Sequence, residues 1–182
     1  MIIENHRLRG ANMQLETKRL ILRYLKEDDL ESVFNNYAND DEVTKFLSWP
    51  THKDLNDTKM IFDIWDKEDD ELKKYHYFLV LKETNELIGS CCVHCFIDGN
   101  PEIGIVLGRK WWRQGLMTEA VLELIKQLFS DGYEKIIMKA VDQNIASNKL
   151  IQKCGFKYVG IEKFYAPLKN QKFLLFDYEL EK

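Results

Sequence analysis

The sequence predicts a single domain of mixed α/β class. Three observations carry that expectation. Strand-like runs come first as an antiparallel meander and then alternate with two amphipathic helices, an order that builds a mixed sheet. A length of 182 residues is the size of one domain. Only 9 glycines and 3 prolines are present, about half the usual share, so most of the chain belongs in regular elements.

Residues 1–12 show no periodicity and are expected to form a flexible extension, with the domain spanning 13–182 and Met13 as an alternative start. Arg19–Leu25 alternates as a strand. Asp28–Asn39 sets Leu30, Val33, Phe34 and Tyr37 at helical 3–4 spacing. A second helical stretch, Lys53–Lys74, carries Ile61, Ile64, Trp65 and Leu72 on one side. Three strands follow at Tyr75–Lys82, Leu87–Ile97 and Glu102–Gly108. The last two are joined at Asp98–Pro101, a strong tight-turn signal. Gly115–Ser130 is the best helix, with Leu116, Ala120, Val121, Leu124, Ile125, Leu128 and Phe129 in one stripe and Gly132 beyond its end. Tyr133–Val141 reads as a strand. Asn144–Cys154 reads as a helix with Gly155 at its C-terminal cap. Phe156–Lys163 and Lys172–Leu180 complete the order as strands.

Composition excludes several function classes. The formal charge of −4 argues against a nucleic-acid binder, which would be basic. The longest run without Asp, Glu, Lys or Arg is Leu87–Ile97, about half the ~20 residues of a spanning helix. Met1–Gly10 has no apolar core of a signal peptide. No membrane segment is therefore expected. Three of the four cysteines, Cys91, Cys92 and Cys95, crowd one apolar run and make a poor disulfide framework with Cys154. They read as reduced thiols of a cytoplasmic protein. Cys92 and Cys95 form a C-x-x-C, but residues three apart on a strand face opposite ways, so no metal site is expected from the pair. Asp54–Glu71 holds eight acids against Lys59 and Lys67. It is a solvated helix face, or a surface that steers a basic acceptor.

Chemistry concentrates where Glu102–Gly108 meets the following helix. A strand runs into a loop with Arg109, Lys110 and Arg113, and Gly115 opens a strong helix. A helix N-terminus offers unpaired amides and a partial positive charge, so phosphate is the natural ligand. The spacing fits neither the P-loop nor the dinucleotide fingerprint. The alternative is an ordinary solvated strand-to-helix loop.

The run Trp112-Arg113-Gln114-Gly115-Leu116-Met117-Thr118-Glu119-Ala120 resembles the pyrophosphate loop of the GNAT acyl-CoA-dependent N-acetyltransferases. Within them it is most similar to the Rim-type, ribosomal-protein N-terminal acetyltransferases. Leu15–Arg23 and the set Asn144, Ser147, Asn148, Gly155, Phe156 resemble the same group, so the likeness runs from about Leu15 to the C-terminus. The resemblance implies a twisted, mostly antiparallel sheet flanked by helices, with a splayed central strand pair. It also implies acetyl transfer from acetyl-CoA to a primary amine by direct attack in a ternary complex.

The resemblance further implies site residues. The backbone of Ile105, Val106 and Leu107 should pair with the pantetheine arm. The amides of Arg113, Gln114, Gly115, Leu116, Met117 and Thr118 should hold the pyrophosphate. Arg113 stands in place of the usual first Gly and Met117 in place of Gly or Ala, and either side chain could crowd the phosphates, although Arg113 could add a charge contact. Asn144 and Ser147 correspond to a pantetheine contact and a thiol-proximal Ser; either could instead be the cap of its helix. Ile151 occupies the position where many relatives carry a Tyr acid, which leaves that role to Ser147 or to no residue. A thiol near pKa 8.5 is a tolerable leaving group.

Glu102 is the candidate base, directly or through water, sharing a face with Gly104 and Val106. The alternative is a strand-edge Glu in solvent. His94 and Tyr165 are further candidates, although a His in an apolar strand is more often a core residue. An α-amine titrates near 7.7–8.0 and a Lys near 10.4, so an N-terminal acceptor asks less of the base. The implied partners are acetyl-CoA and an amine: a protein N-terminus, or a polyamine or antibiotic. A non-catalytic acyl-CoA sensor is the other class. The sequence leaves monomer and homodimer equally open.

Overall fold

The computed structural model describes residues 14–65, 67 and 69–182; the expected extension at 1–12 lies outside the described residues. Eight strands form one sheet in the order β1-β2-β3-β4-β5-β6-β8-β7. They are β1 (Leu15–Glu16), β2 (Leu20–Arg23), β3 (His76–Leu81), β4 (Leu87–Ile97), β5 (Asn100–Leu107), β6 (Lys135–Val141), β7 (Lys157–Ala166) and β8 (Gln171–Glu181). Every neighbouring pair is antiparallel except β5 and β6, which run parallel and pair at Glu102↔Ile137 and Ile103↔Met138. Beyond Ile103 the two strands part, which is the splayed central pair.

Alternation along the strands builds two faces. Tyr77, Leu79, Ile88, Cys91, Val93 and Ile103 turn to one side, where they meet α5 (Leu116–Ser130) and the Ile151 and Cys154 end of α6 (Ile145–Lys153). Phe78, Val80 and Leu87 turn to the other and meet Val33, Tyr37 and Ala38. α5 buries Leu116, Met117, Ala120, Val121, Leu124, Ile125 and Leu128, the stripe the periodicity predicts with Met117 added and Phe129 only half-buried at its end. Fully burying each such side chain stabilises by about 1.5–3 kcal/mol. The β4–β5 hairpin closes on Asp98 (φ +49°) and Gly99 (φ +79°), both left-handed, as a two-residue turn of this type requires.

The helical region before β3 differs from the simple reading. Asp28–Asn39 is not one helix but a short 3-10 turn, α1 (Leu30–Val33) and a π segment (Phe34–Ala38). The wider π turn lets consecutive Tyr37 and Ala38 both reach the core. It also brings Asn36 against the sheet, where its Nδ2 donates to the Leu87 carbonyl at 2.7 Å. α2 (Asp41–Thr44), capped by the Asp40 side chain, follows. The Lys53–Lys74 stretch is two helices, α3 (Leu55–Trp65) and α4 (Asp70–Lys73). Thr58, Ile61, Phe62 and Trp65 face inward, whereas Ile64 is exposed, so the expected stripe is rotated by about one residue.

The segment after α2 crosses from one half of the molecule to the other. Val43 packs with Tyr37 and Phe78, but Phe46 packs with Val141, Ala166 and Phe173 beyond the parted strands. Lys169, in the turn between β7 and β8, secures the crossing by donating to the carbonyls of Thr44 and Lys45, each at 3.0 Å.

Candidate active site

The site begins at the free edge of β5. The Gly108 amide donates to the Ile88 carbonyl at 2.8 Å. By the alternation of an antiparallel ladder, the main-chain groups of Gly104 and Val106 turn toward β4 as well. Those of Ile105 and Leu107 turn into the gap. The structure thus narrows the expected backbone platform: Val106 is tied into the sheet, and the open edge belongs to Ile105 and Leu107. Trp112 Nε1 donates to the Leu107 carbonyl at 2.7 Å and braces the end of this edge.

β5 leads directly into the anion loop. Gly115 precedes α5 with φ +75° and brings no side chain to cap the helix, so the first-turn amides of Leu116, Met117 and Thr118 have no intrahelical acceptor. Arg113 also adopts a left-handed backbone, φ +61°. The chain thus makes a glycine-like turn with an Arg at the position where the resemblance implies Gly. The Arg113 side chain is exposed, while the side chains of Leu116 and Met117 are buried in the core. The concern that Met117 crowds a phosphate is corrected: only its amide reaches the loop. Gln114 is exposed beside it, its Nε2 donating to the Lys110 carbonyl at 3.1 Å.

Two residues absent from the candidate set hold the loop in place. Arg19 Nε donates to Glu119 Oε2 at 2.8 Å and its Nη1 to the Gln114 carbonyl at 2.9 Å. Thr17 and the Arg19 amide also donate to the Glu119 carboxylate. Burial pushes the Glu119 carboxyl up, but the hydrogen bonds from Thr17 and Arg19 and the Arg19 charge outweigh it, and the net shift is downward. The same contacts neutralise a carboxylate that would otherwise repel an anion at this helix end. Both residues sit inside the quoted motifs, at Leu15–Arg23 and Trp112–Ala120, which is the signal that pairs them.

At the matching end of β6, Asn144 caps α6, its Oδ1 accepting from the Ser147 amide at 3.2 Å. The capping alternative is thus realised for Asn144. Ser147 lies half-buried in the first turn. Buried Asn148 knits the junction: its Nδ2 donates to the carbonyls of Val141, Asp142 and Asn144, and its Oδ1 accepts from Tyr178. Ile151 is fully buried in the core, so that position offers no acid.

Glu102 stands at the first of the two rungs that join β5 to β6, one residue before the last. It is buried, which corrects the solvent alternative. Lys139 Nζ lies 3.8 Å from its Oε2 and is itself held by Glu162 at 2.8 Å. Burial raises the Glu102 carboxyl above its ordinary value, partly offset by the Lys139 charge. His94 is not a core residue: its side chain is 46% exposed and its Nε2 lies 3.3 Å from Glu102 Oε1. Tyr165 sits away from Glu102, in the β7–β8 hairpin, with its hydroxyl donating to Asn170. It lines a cavity of about 580 Å³ with Phe46, Val141 and Phe173 at the mouth of the gap.

The arrangement is a wedge. Glu102 marks its base, the Ile105–Leu107 edge forms one wall, and the N-termini of α5 and α6 both lie at its mouth, at the carboxyl ends of the two parallel strands. Anionic ligands favour such a crevice.

A family model described as an acetyltransferase (GNAT) domain matches residues 19–157. The chain is 31% identical over 161 residues to an uncharacterized N-acetyltransferase, p20, of Bacillus licheniformis, covering 86% of this chain and 89% of that one. Among solved structures, a GNAT-family acetyltransferase from Bacillus anthracis superposes with a TM-score of 0.79 at 23% identity, over 93% of this chain and 98% of that one. RimL, a ribosomal L7/L12 alpha-N-protein acetyltransferase in complex with coenzyme A, gives 0.78 at 17% identity, over 92% and 97%. With a matching family model over most of its length, its motifs in order and the parted β5–β6 pair, the chain belongs to the GNAT acetyltransferase family.

Proposed function

We propose that this acetyltransferase moves an acetyl group from acetyl-CoA to the α-amine of a protein N-terminus. One observation carries the cofactor half: the open edge of β5, with the main-chain groups of Ile105 and the Leu107 amide turned into the gap, runs straight into the uncapped N-terminus of α5. The edge supplies N–H and C=O partners for a pantetheine arm, and the amides of residues 113–118 supply donors for a pyrophosphate. Arg113, exposed on that loop, adds a cation.

Glu102 acts as the base. Its burial raises the carboxyl's proton affinity, and an α-amine near pKa 7.7–8.0 is the acceptor it can best deprotonate. The amine nitrogen then bonds to the thioester carbon, the carbon–sulfur bond breaks, and the thiolate leaves with the electron pair. The Ser147 hydroxyl, at the start of α6, passes it a proton while taking one from water; Ile151 cannot. An N–H on the β5 edge stabilises the carbonyl oxygen as charge develops. The likeness to RimL and the acids of α3 and α4 support a protein acceptor with a basic tail, and the absence of a spanning helix among the described residues is compatible with a cytoplasmic site of action.

The test is coenzyme A release with a panel of peptides differing at their first residues, alongside spermidine and aminoglycosides. Turnover on free N-terminal amines is expected, with Glu102→Gln lowering kcat by about 10²–10⁴. Turnover confined to spermidine or an aminoglycoside moves the acceptor to small amines. Coenzyme A binding without turnover on any of them makes the chain a sensor.

A further inference from the structure

β4 carries a bulge that alternation does not foresee. Val93 pairs with Ile103, but the next partner of Glu102 is Cys95, so His94 is an extra residue and both His94 and Cys95 stand opposite one carboxylate. The imidazole, thiol and carboxylate donor atoms all lie within 4.8 Å of one another. Two of the separations are 3.3 Å, from His94 Nε2 to Glu102 Oε1, and 3.8 Å, from Cys95 Sγ to the carboxylate's other oxygen, Oε2. Ligand atoms around a tetrahedral zinc with bonds of 2.0–2.3 Å are separated by about 3.3–3.8 Å.

A second observation concerns the imidazole's other nitrogen. His94 Nδ1 faces the Glu102 backbone carbonyl at 3.4 Å, and a carbonyl can only accept, so Nδ1 carries the hydrogen. That is the outer contact by which metal-binding histidines are commonly oriented. In the neutral ring it leaves an Nε2 lone pair pointed at a carboxylate oxygen. Two acceptors held face to face require a positive charge between them, a proton or a metal ion.

We infer that His94, Cys95 and Glu102 form a binding site for Zn²⁺, with the fourth position open to solvent through the exposed His94. Binding displaces two protons to buffer, the one shared by His94 Nε2 and Glu102 and the one on Cys95, and the thiolate, the imidazole and the carboxylate become the three protein ligands. Lys139 does not forbid it, because Glu162 and Asp177 share that ammonium and the pocket stays net negative with Glu102 ionised. The C-x-x-C pair is not the metal-binding unit; the adjacent His-Cys pair is. Resting on the assignment of Glu102 as base, zinc occupancy ties up that carboxylate and inhibits acetyl transfer.

The experiment is titration of the chelator-treated full chain with zinc chloride by calorimetry, with cobalt as a spectroscopic substitute. One site is expected, releasing about two protons per metal and giving a thiolate-to-cobalt charge-transfer band. Cys95→Ala should weaken zinc at least a hundredfold, above the 10–100-fold seen for outer contacts, and Cys92→Ala should not. Cys95→Ser serves if the Ala variant melts early. In the turnover assay, Cys95→Ala should keep its metal-free rate within about twofold and lose zinc inhibition. The absence of binding heat, or equal affinity in Cys95→Ala, overturns the site. Zinc binding with these signatures but undiminished turnover keeps the site and removes Glu102 as the base.

Discussion

Arg113 shows how one side chain can be tolerated where the backbone asks for none. A left-handed conformation costs a non-glycine residue about 1–2 kcal/mol, yet Arg113 holds φ +61° in the middle of the anion loop. Arg113→Gly is expected to raise stability by about 1 kcal/mol, read as the urea midpoint, because relief of this strain exceeds the added freedom of the unfolded chain. It should also weaken coenzyme A, since the exposed guanidinium is lost. A gain in stability with unchanged coenzyme A affinity would show that the cation contributes nothing to the phosphate site. The residue's identity was legible in sequence as a departure from the family pattern; its conformation was not, because φ is set by how β5 and α5 must join. Met117 illustrates the reverse. As a motif position it looks like part of the phosphate loop, but helical periodicity already placed its neighbours on the core stripe, and its side chain joins them. For His94, ordinary alternation after buried Val93 already exposes the side chain; what was not legible is the bulge there, which sets Cys95 beside it opposite Glu102 and leaves no compositional trace in Cys91–Phe96.

Among elements, α5 depends on a partner distant in sequence. The Arg19–Glu119 contacts tie β2 to the first turn of α5 and steady the Gln114 carbonyl of the loop. Glu119 has a folded-state pKa below its unfolded value. The stability it contributes is therefore fully present above the unfolded value of about 4.3 and is lost as pH falls through the lower folded value. Urea unfolding of Glu119→Gln should show the largest deficit against wild type near neutral pH and a shrinking one below pH ~4. A deficit that is the same at every pH would mean that the carboxylate's charge is irrelevant and only its shape matters. The long elements were readable because their burial is periodic: β4 and α5 fall within one residue of their expected limits. The α1–α2 region was not, because a π turn arises from what Asn36 and Tyr37 must contact across the sheet rather than from local spacing.

For the whole molecule, the sheet order was only partly legible. Strand and helix succession implied a mixed sheet, and the resemblance supplied the splay, but the placement of β8 between β6 and β7 is a long-range choice no local pattern encodes. Behind a shared core of Ile103, Leu124, Met138 and Tyr178, the two halves are joined along the sheet by the two β5–β6 rungs and across the gap by the segment held by Lys169. Lys169→Met should leave coenzyme A affinity nearly intact while raising the KM for the acceptor and quickening amide hydrogen exchange in residues 44–49. If exchange there matches wild type, the lysine is dispensable and Phe46 alone anchors the strap.

A hinge with so few rungs behaves like the pivot of a pair of tongs. The jaws cannot shear past each other, since α5 joins them and a shared core backs the pivot; what two rungs leave unbraced is the mouth beyond Ile103. A longer acyl chain lodged near Glu102 would therefore meet resistance less from any one wall than from the strap at the far end, and loosening that strap, rather than enlarging the bite, is the direct route to accepting bulkier donors.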